Sequence, residues 1–335
     1  MLQFPYPVSN TLVASNLERI RFLSKVLESI PVSATVAQRI FHRQILKSSL
    51  FSARIEGNQL TFSDYEKGSG QDIQKREIEN CNRAIQELET FSTTLTIEHL
   101  KRIHAIVMNG IHADAGKIRQ EQSGVFDSGG NVVYLTPDRN TLKAMLDVWL
   151  TETNKERDFI EHIVDSARLH YYFEKMHPFL DGNGRTGRIL LQWQLKQSKL
   201  FGKFILPVDE YFDEHKSAYY AYLERSTRHA EEFTLFVLEG YVWALEHILT
   251  DIKTVGEESV SVGSKPLSSL LPRRSEIVAI ITDHPLCSFD FIARRFPKIP
   301  VRTLAYDIQA LGKLGLVMKH GNTRGVRYSA NGSQK

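Results

Sequence analysis

The sequence predicts a mainly α-helical protein with one interior β-hairpin, followed by a small and separately composed carboxy-terminal domain. Three observations carry this expectation. Apolar residues recur at three- to five-residue steps through most of the chain before position 250, the repeat of one helix face. One stretch, Gly124 to Pro137 (GVFDSGGNVVYLTP), instead sets Gly129-Gly130 between two short apolar runs, which signals a hairpin. Charge is also partitioned. Residues 266–335 hold 11 Lys+Arg against 4 Asp+Glu, a balance of +7, and the remaining 31 basic and 35 acidic residues give −4.

At 335 residues the chain is long enough for two or three domains of about 150 residues or less. Its 42% hydrophobic and 24% charged content is that of a soluble globular protein with a core of ordinary size. The two cysteines, Cys81 and Cys287, lie far apart; they form no disulfide framework and suit a reducing compartment. Met1 to Asn10 lacks the basic start and apolar run of a signal peptide, and no stretch reaches the roughly 18 apolar residues of a membrane helix. The expected location is cytoplasmic, with no membrane partner.

Taken in order, Thr35 to Glu56 places Val36, Ile40, Phe41, Ile45, Leu50 and Ile55 on a helical stripe that Gly57 ends. Further periodic segments are Asp72–Leu88, Ile97–Met108, Thr141–Leu150, Phe159–Glu174, Thr186–Gln197, His215–Leu223 and Thr234–Leu249. Thr250 to Leu270 is rich in Ser, Gly and charge and reads as a linker. Beyond it come helical patterns at Arg274–Thr282, Phe289–Phe296 and Val301–Leu314. Strand-like residues follow at Leu316–Lys319 and Gly325–Ser329, with a turn at Gly321-Asn322. Three helices and a hairpin in about 60 residues resemble a winged helix, a helix-turn-helix variant. The expected division is 1–95 (with a special helix at about 35–57), 96–250, a linker at 251–270, and 271–331.

Chemistry concentrates in His177 to Arg188, HPFLDGNGRTGR. Gly182, Gly184 and Gly187 let the backbone turn tightly and approach a ligand. The turn, with Asn183, empties into a helix amino terminus, where free N–H groups and the helix dipole favour an anion. Arg185 and Arg188 are three apart, on one helical face, and both can reach phosphate oxygens. Asp181 is a hard oxygen ligand suited to Mg²⁺ bridging those phosphates, and His177 is a natural general base. Together they describe phosphoryl or nucleotidyl transfer. GNGRTG also spells G-x-G-x-x-G, but a helical pattern precedes it and the next acid, Asp209, is 27 positions after Gly182. A dinucleotide fold needs a strand before the glycines and an acid about 20 residues later. A glycine-rich turn with solvated arginines is the plain structural alternative, and it leaves the joint presence of His, Asp, Asn and two Arg unexplained.

HPFLDGNGRTGR resembles the signature of the Fic family, H-P-F-x-[DE]-G-N-G-R-x-x-R, at every defined position. The resemblance implies an all-helical Fic core with a β-hairpin flap. The implied reaction is transfer of AMP from ATP to a Ser, Thr or Tyr hydroxyl of a target protein, with Mg²⁺ or Mn²⁺. It implies His177 as the base, Phe179 as the loop's anchor and Asp181 as the metal ligand. Gly182, Asn183, Gly184, Arg185, Thr186, Gly187 and Arg188 would bind the ATP. Ser52 to Asn58 (SARIEGN) resembles the family's inhibitory motif [ST]-x-x-x-E-[GN]. With Ser52 at its start, Glu56 would pair with Arg188 and withhold that arginine from the γ-phosphate. Some members use the same glutamate to remove AMP, so the reverse reaction stays open. Ser123 to Tyr134 would be the flap, with Ser123, Gly124, Val125 and Phe126 pairing with the target's backbone. Thr136-Pro137 replaces the family's frequent Pro-Pro at its end. In YFDEHKSAYYAYL, His215 and Lys216 stand where the family carries Asn-Arg, and Tyr219 and Tyr220 fit either nucleoside contact or core.

His99 and His104, five apart, and His162 and His170, eight apart, lack metal-ligand spacing; they read as surface or hydrogen-bonded core residues. The other class of function is a DNA-binding regulator with a nucleotide-sensing core. Its basic face would consist of Arg294, Arg295, Arg302, Lys313 and Arg324. Expected partners are a target protein, the chain itself as a substrate or as a homodimer partner, and DNA or protein at the winged helix.

Overall fold

The computed structural model describes residues 11–67, 70–91, 94–126, 132–198, 204–225, 230–261, 270–321 and 325–330, and it is mainly α-helical. It resolves into two compact units. The first gathers the described residues of 1–31, 41–59 and 76–250, and the second those of 32–40, 60–75 and 251–335.

The helices are α1 (Thr11–Ser29), α2 (Ala34–Ile55), α3 (Phe62–Glu66), α4 (Asp72–Glu87), α5 (Ile97–Val107), α6 (Arg139–Thr153) and α7 (Phe159–Met176). They continue with α8 (Asn183–Gln197), α9 (Val208–Glu214), α10 (Lys216–Glu224) and α11 (Ala230–Ser261). Most match the expected periodic segments to within a few residues. Helices α1, α3 and α9 are not among the expected ones, although Val13, Ile20, Leu23 and Leu27 give α1 a buried stripe. The α7–α8 pair forms the centre of the first unit. From Ser166 to Met176 every residue of α7 is buried, as befits a helix enclosed on all sides. The α7 amino terminus is fixed by a capping box of Asp158 and Glu161. Trp149 of α6 donates to the Leu169 carbonyl at 2.9 Å, and Ser166 meets the Tyr241 hydroxyl of α11 at 2.9 Å.

The expected hairpin is present. Strands β1 (Gly124–Phe126) and β2 (Val132–Leu135) pair antiparallel, Gly124 opposite Leu135 and Val125 opposite Tyr134, with an irregularity between Val125 and Phe126. The Gly129-Gly130 turn lies outside the described residues.

One buried amide ties α4 to the end of α5. Asn80 is fully buried, and its Nδ2 donates to the Val107 and Asn109 carbonyls, both at 2.9 Å. Asn80→Ala leaves the buried Val107 carbonyl and the part-buried Asn109 carbonyl without their donor. It is expected to cost about 1–3 kcal/mol, read as a lowered urea midpoint with an unchanged slope.

Two expectations need correction. The linker at 251–270 begins as helix, because α11 continues to Ser261; residues 262–269 lie outside the described set. Local composition suggested a loop, but Ile252 and Val255 are buried, so packing extends the helix. The second unit is also more than 271–331. It includes 32–40 and 60–75, from the region expected to stand apart. Within it lie α12 (Pro272–Asp283), β3 (Cys287–Ser288), α13 (Phe289–Ala293), α14 (Val301–Lys313), β4 (Val317–His320) and β5 (Arg327–Ala330). The strands form one antiparallel sheet, in the order β3-β5-β4. Tyr65 packs edge-on to Phe291 at 6.1 Å, Glu66 pairs with His284, and Arg39 donates to Asp283 at 2.9 Å. These side chains, more than 200 residues apart in sequence, share one core.

Candidate active site

The candidate site is built on the turn between α7 and α8. Helix α7 stops because His177 takes the left-handed conformation (φ 48°, ψ 62°) and Pro178 cannot continue the ladder. Asn183 then staples the turn shut: its Oδ1 accepts from the Phe179 N–H and its Nδ2 donates to the Phe179 carbonyl, both at 2.9 Å. Phe179 is fully buried and stacks on His104 at 3.6 Å, its expected anchoring place. Gly182, at φ 77°, begins α8 in a conformation that favours glycine. At Gly184 and Gly187 neighbouring side chains take the space that a Cβ would occupy. A Cβ on Gly184 would lie 2.2 Å from Glu56 Oε1 and 3.0 Å from Arg188 Nη1, and one on Gly187 would lie 2.3 Å from Glu174 Oε1.

Arg188 is 1 % exposed and held from several sides. Its Nη2 donates to Glu56 Oε1 and to the Ser52 carbonyl, and its Nε to Ser52 Oγ, each at 2.9 Å. Asp209 Oδ1 stands 3.4 Å from Nε. Nη1, buried, has no hydrogen-bond partner among the described residues. Burial opposes the charge, yet Glu56, Tyr219, Asp209 and Glu174 together hold the guanidinium well above its ordinary pKa. Desolvation likewise opposes the Glu56 carboxylate, and Arg188 and Arg185 outweigh it, so Glu56 stays ionised. The Glu56 side chain remains 30 % exposed, so water reaches this ion pair. Glu56 follows the end of α2, and Gly57 at φ 102° turns the chain away. Helix α2 is fastened beside it: Ser48 Oγ donates to Asp209 at 2.5 Å, and Lys47 pairs with Glu210 at 3.0 Å.

His177 Nδ1 faces the Glu174 carbonyl at 3.1 Å. A carbonyl only accepts, so Nδ1 carries the proton and Nε2 keeps its lone pair. Burial lowers the imidazole's pKa, favouring the neutral form a base needs. Asp181 is 53 % exposed on its side chain, accepts from the Gly182 N–H at 2.6 Å, and lies 3.6 Å from Arg185. Among the described residues no cluster of three metal-binding side chains exists. A solvent-facing carboxylate at the lip of an anion cradle fits a Mg²⁺ ion that arrives with phosphates and keeps its waters; it does not fit an all-protein metal cage.

The expected residues His177, Asp181, Gly182 to Arg188, Ser52 and Glu56 converge here. Thr186 is fully buried, and its hydroxyl lacks a partner among the described residues. Tyr219 lies close to the Arg188 guanidinium. It is buried, stacks on Phe212 at 4.8 Å and meets His170 Nε2 at 3.0 Å, a core residue behind Arg188. Tyr220 is part-exposed and donates to the Ile55 carbonyl at 2.9 Å, closing the end of α2. Ser123 and Gly124 begin the hairpin; the side chains of Val125 and Phe126 lie outside the description.

Sequence reasoning missed several participants. Glu77 bridges Arg185 Nη1 (2.9 Å) and Asn58 (2.7 Å). Glu174 is buried in α7 with its carboxyl pushed up to about 8 by desolvation. His104, hydrogen-bonded core as expected, also supports the site. Its Nδ1 accepts from Gly116, so Nε2 donates to the Asp181 carbonyl at 2.8 Å. Burial lowers its pKa to about 4, which keeps this tautomer neutral.

The expected basic face of the carboxy-terminal region is thin. Arg302 and Lys313 are exposed on α14, whereas Arg294 lies over the Tyr65 ring at 5.0 Å and Arg295 is part-buried. Arg324 lies outside the described residues. No helix among the described residues is long and apolar enough to cross a membrane.

Residues 94–195 match the model of the Fic/DOC family. A "Protein adenylyltransferase Fic" of Culex quinquefasciatus is 27% identical over 176 residues, 50% of this chain and 33% of that protein. The "Protein adenylyltransferase fic-1" of Caenorhabditis elegans is 29% identical over 202 residues, 59% of this chain and 36% of that protein. The chain thus spans about a third of the length of these curated relatives. Among solved structures, a Fic family protein from Desulfovibrio desulfuricans G20 superposes with a TM-score of 0.64 at 19% identity. That alignment covers 99% of each chain. A Fic-1 fragment from C. elegans gives 0.59 at 21% identity, covering 74% of this chain and 75% of that one. Both share the fold.

Proposed function

We propose, from the Fic/DOC-family domain that the chain carries at residues 94–195, that it is an autoinhibited protein adenylyltransferase. The observation that carries the reading is the Glu56–Arg188 pair at 2.9 Å, set against Gly184 at the mouth of the anion turn. A carboxylate there occupies the arginine and the space that a terminal phosphate would take.

In the reaction proposed, His177 Nε2 removes the proton of a target Ser, Thr or Tyr hydroxyl. The oxygen attacks the α-phosphorus of ATP, the bond to the bridging oxygen breaks, and pyrophosphate leaves as the new phosphodiester forms. The N–H groups at the start of α8 and the two arginines neutralise the phosphates. Mg²⁺, held by Asp181 and phosphate oxygens, would supply further charge neutralisation. The neutral His177 with its fixed Nδ1–H supports the base assignment. The names of the relatives support AMP as the group transferred. Intact-mass measurement of Glu56→Gly protein incubated with Mg²⁺ and each nucleotide tests the reading. A mass gain of one AMP with ATP is expected, and no gain with any nucleotide would overturn it. The same spectra of pre-modified protein would reveal removal of AMP by wild type.

Asp181→Ala is expected to weaken MgATP binding by at least roughly tenfold, since even indirect support of a metal site is worth that much. Titration calorimetry of the Glu56→Gly protein with and without Mg²⁺ checks it; equal affinity in mutant and parent would remove Asp181 from the metal site.

The order α12-β3-α13-α14-β4-β5 with its three-stranded sheet supports a winged helix. With Arg302 and Lys313 as its exposed α14 cations, a protein partner is favoured over DNA. Duplex binding that falls steeply with salt would reverse that preference.

A further inference from the structure

We propose that Arg119, seconded by Tyr134, is a positioning residue that joins the base-bearing turn and the hairpin flap into one rigid body. The proposal rests on the adenylyltransferase reading above.

A helix leaves its last carbonyls without partners inside the helix, and buried carbonyls require donors from elsewhere. At the end of α7 four successive carbonyls are satisfied from one arm of the chain. Lys175 O accepts from the Tyr134 hydroxyl at 3.0 Å. Met176 O and His177 O accept from Arg119 Nη2 and Nε at 3.2 and 2.7 Å. Pro178 O accepts from the Arg119 backbone N–H at 3.0 Å. The remaining arm of the guanidinium, Nη1, donates to Glu121 O at 2.7 Å, two residues before Ser123. There the hairpin closes: Thr136 N donates to Ser123 O and Ser123 N to Thr136 Oγ1, both at 2.9 Å.

The arginine is 2 % exposed, and among the described residues no carboxylate lies within salt-bridge distance of it. A buried cation without a counter-ion is costly. Here the compensation comes from the more distant Asp138 carboxylate and from the negative end of the α7 dipole with its free carbonyls. Three carbonyls in three directions need a planar, multi-armed donor, which lysine is not. The peptide it grips is the strained one: His177 holds a left-handed conformation without being glycine. Such conformations persist where the surroundings over-determine them, and they cluster at functional sites.

For transfer, a flap would present the acceptor while His177 removes its proton. Each guanidinium nitrogen of Arg119 is already engaged by a protein carbonyl, so its part is to set the spacing between flap and base. Misplacement by 1 Å costs on the order of a hundredfold in rate.

The test uses the full chain carrying Glu56→Gly, with Arg119→Gln, Arg119→Lys and Tyr134→Phe added singly. Arg119→Gln should lower kcat for AMP transfer at least about tenfold, with MgATP affinity within about twofold of the parent. Arg119→Lys should recover part of the rate, and Tyr134→Phe should show a smaller loss with the same split. Hydrogen exchange in 123–126, 132–136 and 174–180 should quicken together in Arg119→Gln. A folded Arg119→Gln with undiminished kcat overturns the proposal. So does a parallel loss of kcat and ATP affinity that lysine does nothing to mend. If Arg119→Gln does not fold, Tyr134→Phe, which deletes one hydroxyl, decides by the same split. A parent that transfers no nucleotide defeats the adenylyltransferase reading instead. Exchange then decides whether Arg119 joins the turn to the flap, and quickening in one segment without the other overturns that.

Discussion

In the Glu56→Gly background, His177→Ala is expected to lose at least about a hundredfold in transfer while binding MgATP as before. A positioned base contributes on the order of a hundred- to ten-thousandfold. Three features support the proposed role of His177. Its Nδ1 is engaged by the Glu174 carbonyl at 3.1 Å, which leaves Nε2 as the basic nitrogen. Burial lowers its pKa, so the ring is neutral at neutral pH. The groups proposed to bind the phosphates are separate, at the start of α8 and on Arg185 and Arg188, so nucleotide affinity should survive the loss. Single-turnover labelling with radioactive ATP, alongside calorimetry, checks both halves. Transfer at near-parental rate would remove His177 from the mechanism, and lost ATP affinity would make it a binding residue instead.

Glu56→Gly should raise transfer by the wild-type chain roughly 5- to 150-fold, the span of a coupling worth about 1–3 kcal/mol. The carboxylate holds Arg188 Nη2 at 2.9 Å and sits 2.2 Å from where a Cβ of Gly184 would be. It therefore blocks both a charge and a volume. The gain should stay well below the full worth of a buried pair, because the Glu56 side chain is 30 % exposed and screened by water. Arg188 will not be left unheld, since Ser52 bonds its Nε and Asp209 stands 3.4 Å away. Self-labelling of wild type and mutant, compared at several ATP concentrations, is the measurement. If inhibition is competition for the γ-phosphate site, high ATP should narrow the difference. No difference at any concentration would show that Glu56 does not restrain the enzyme.

The sequence alone was enough to expect the helical class, the hairpin and the twelve-residue turn, and the Glu56–Arg188 pairing followed from the resemblance of SARIEGN to an inhibitory motif. Each is written in short-range rules or in a compact motif: apolar period, paired glycines, residue types in a fixed spacing. The tertiary structure decided the rest. Arg119 and Tyr134 reach carbonyls 58 and 41 residues away. A lone arginine in a loop and a tyrosine in a strand carry no local mark of that duty. Glu174 reads in sequence as an ordinary helical acid, and only burial on every side of α7 raises its carboxyl to about 8. Tyr219 could have faced a nucleoside, and the packing of Phe212 and His170 makes it core. The linker reading failed at Ile252 and Val255, and the unit containing 32–40 and 60–75 was invisible. Backbone preference acts over a turn or two of chain. Burial, and the demand that every buried carbonyl find a donor, is settled between residues that meet only when the chain has folded.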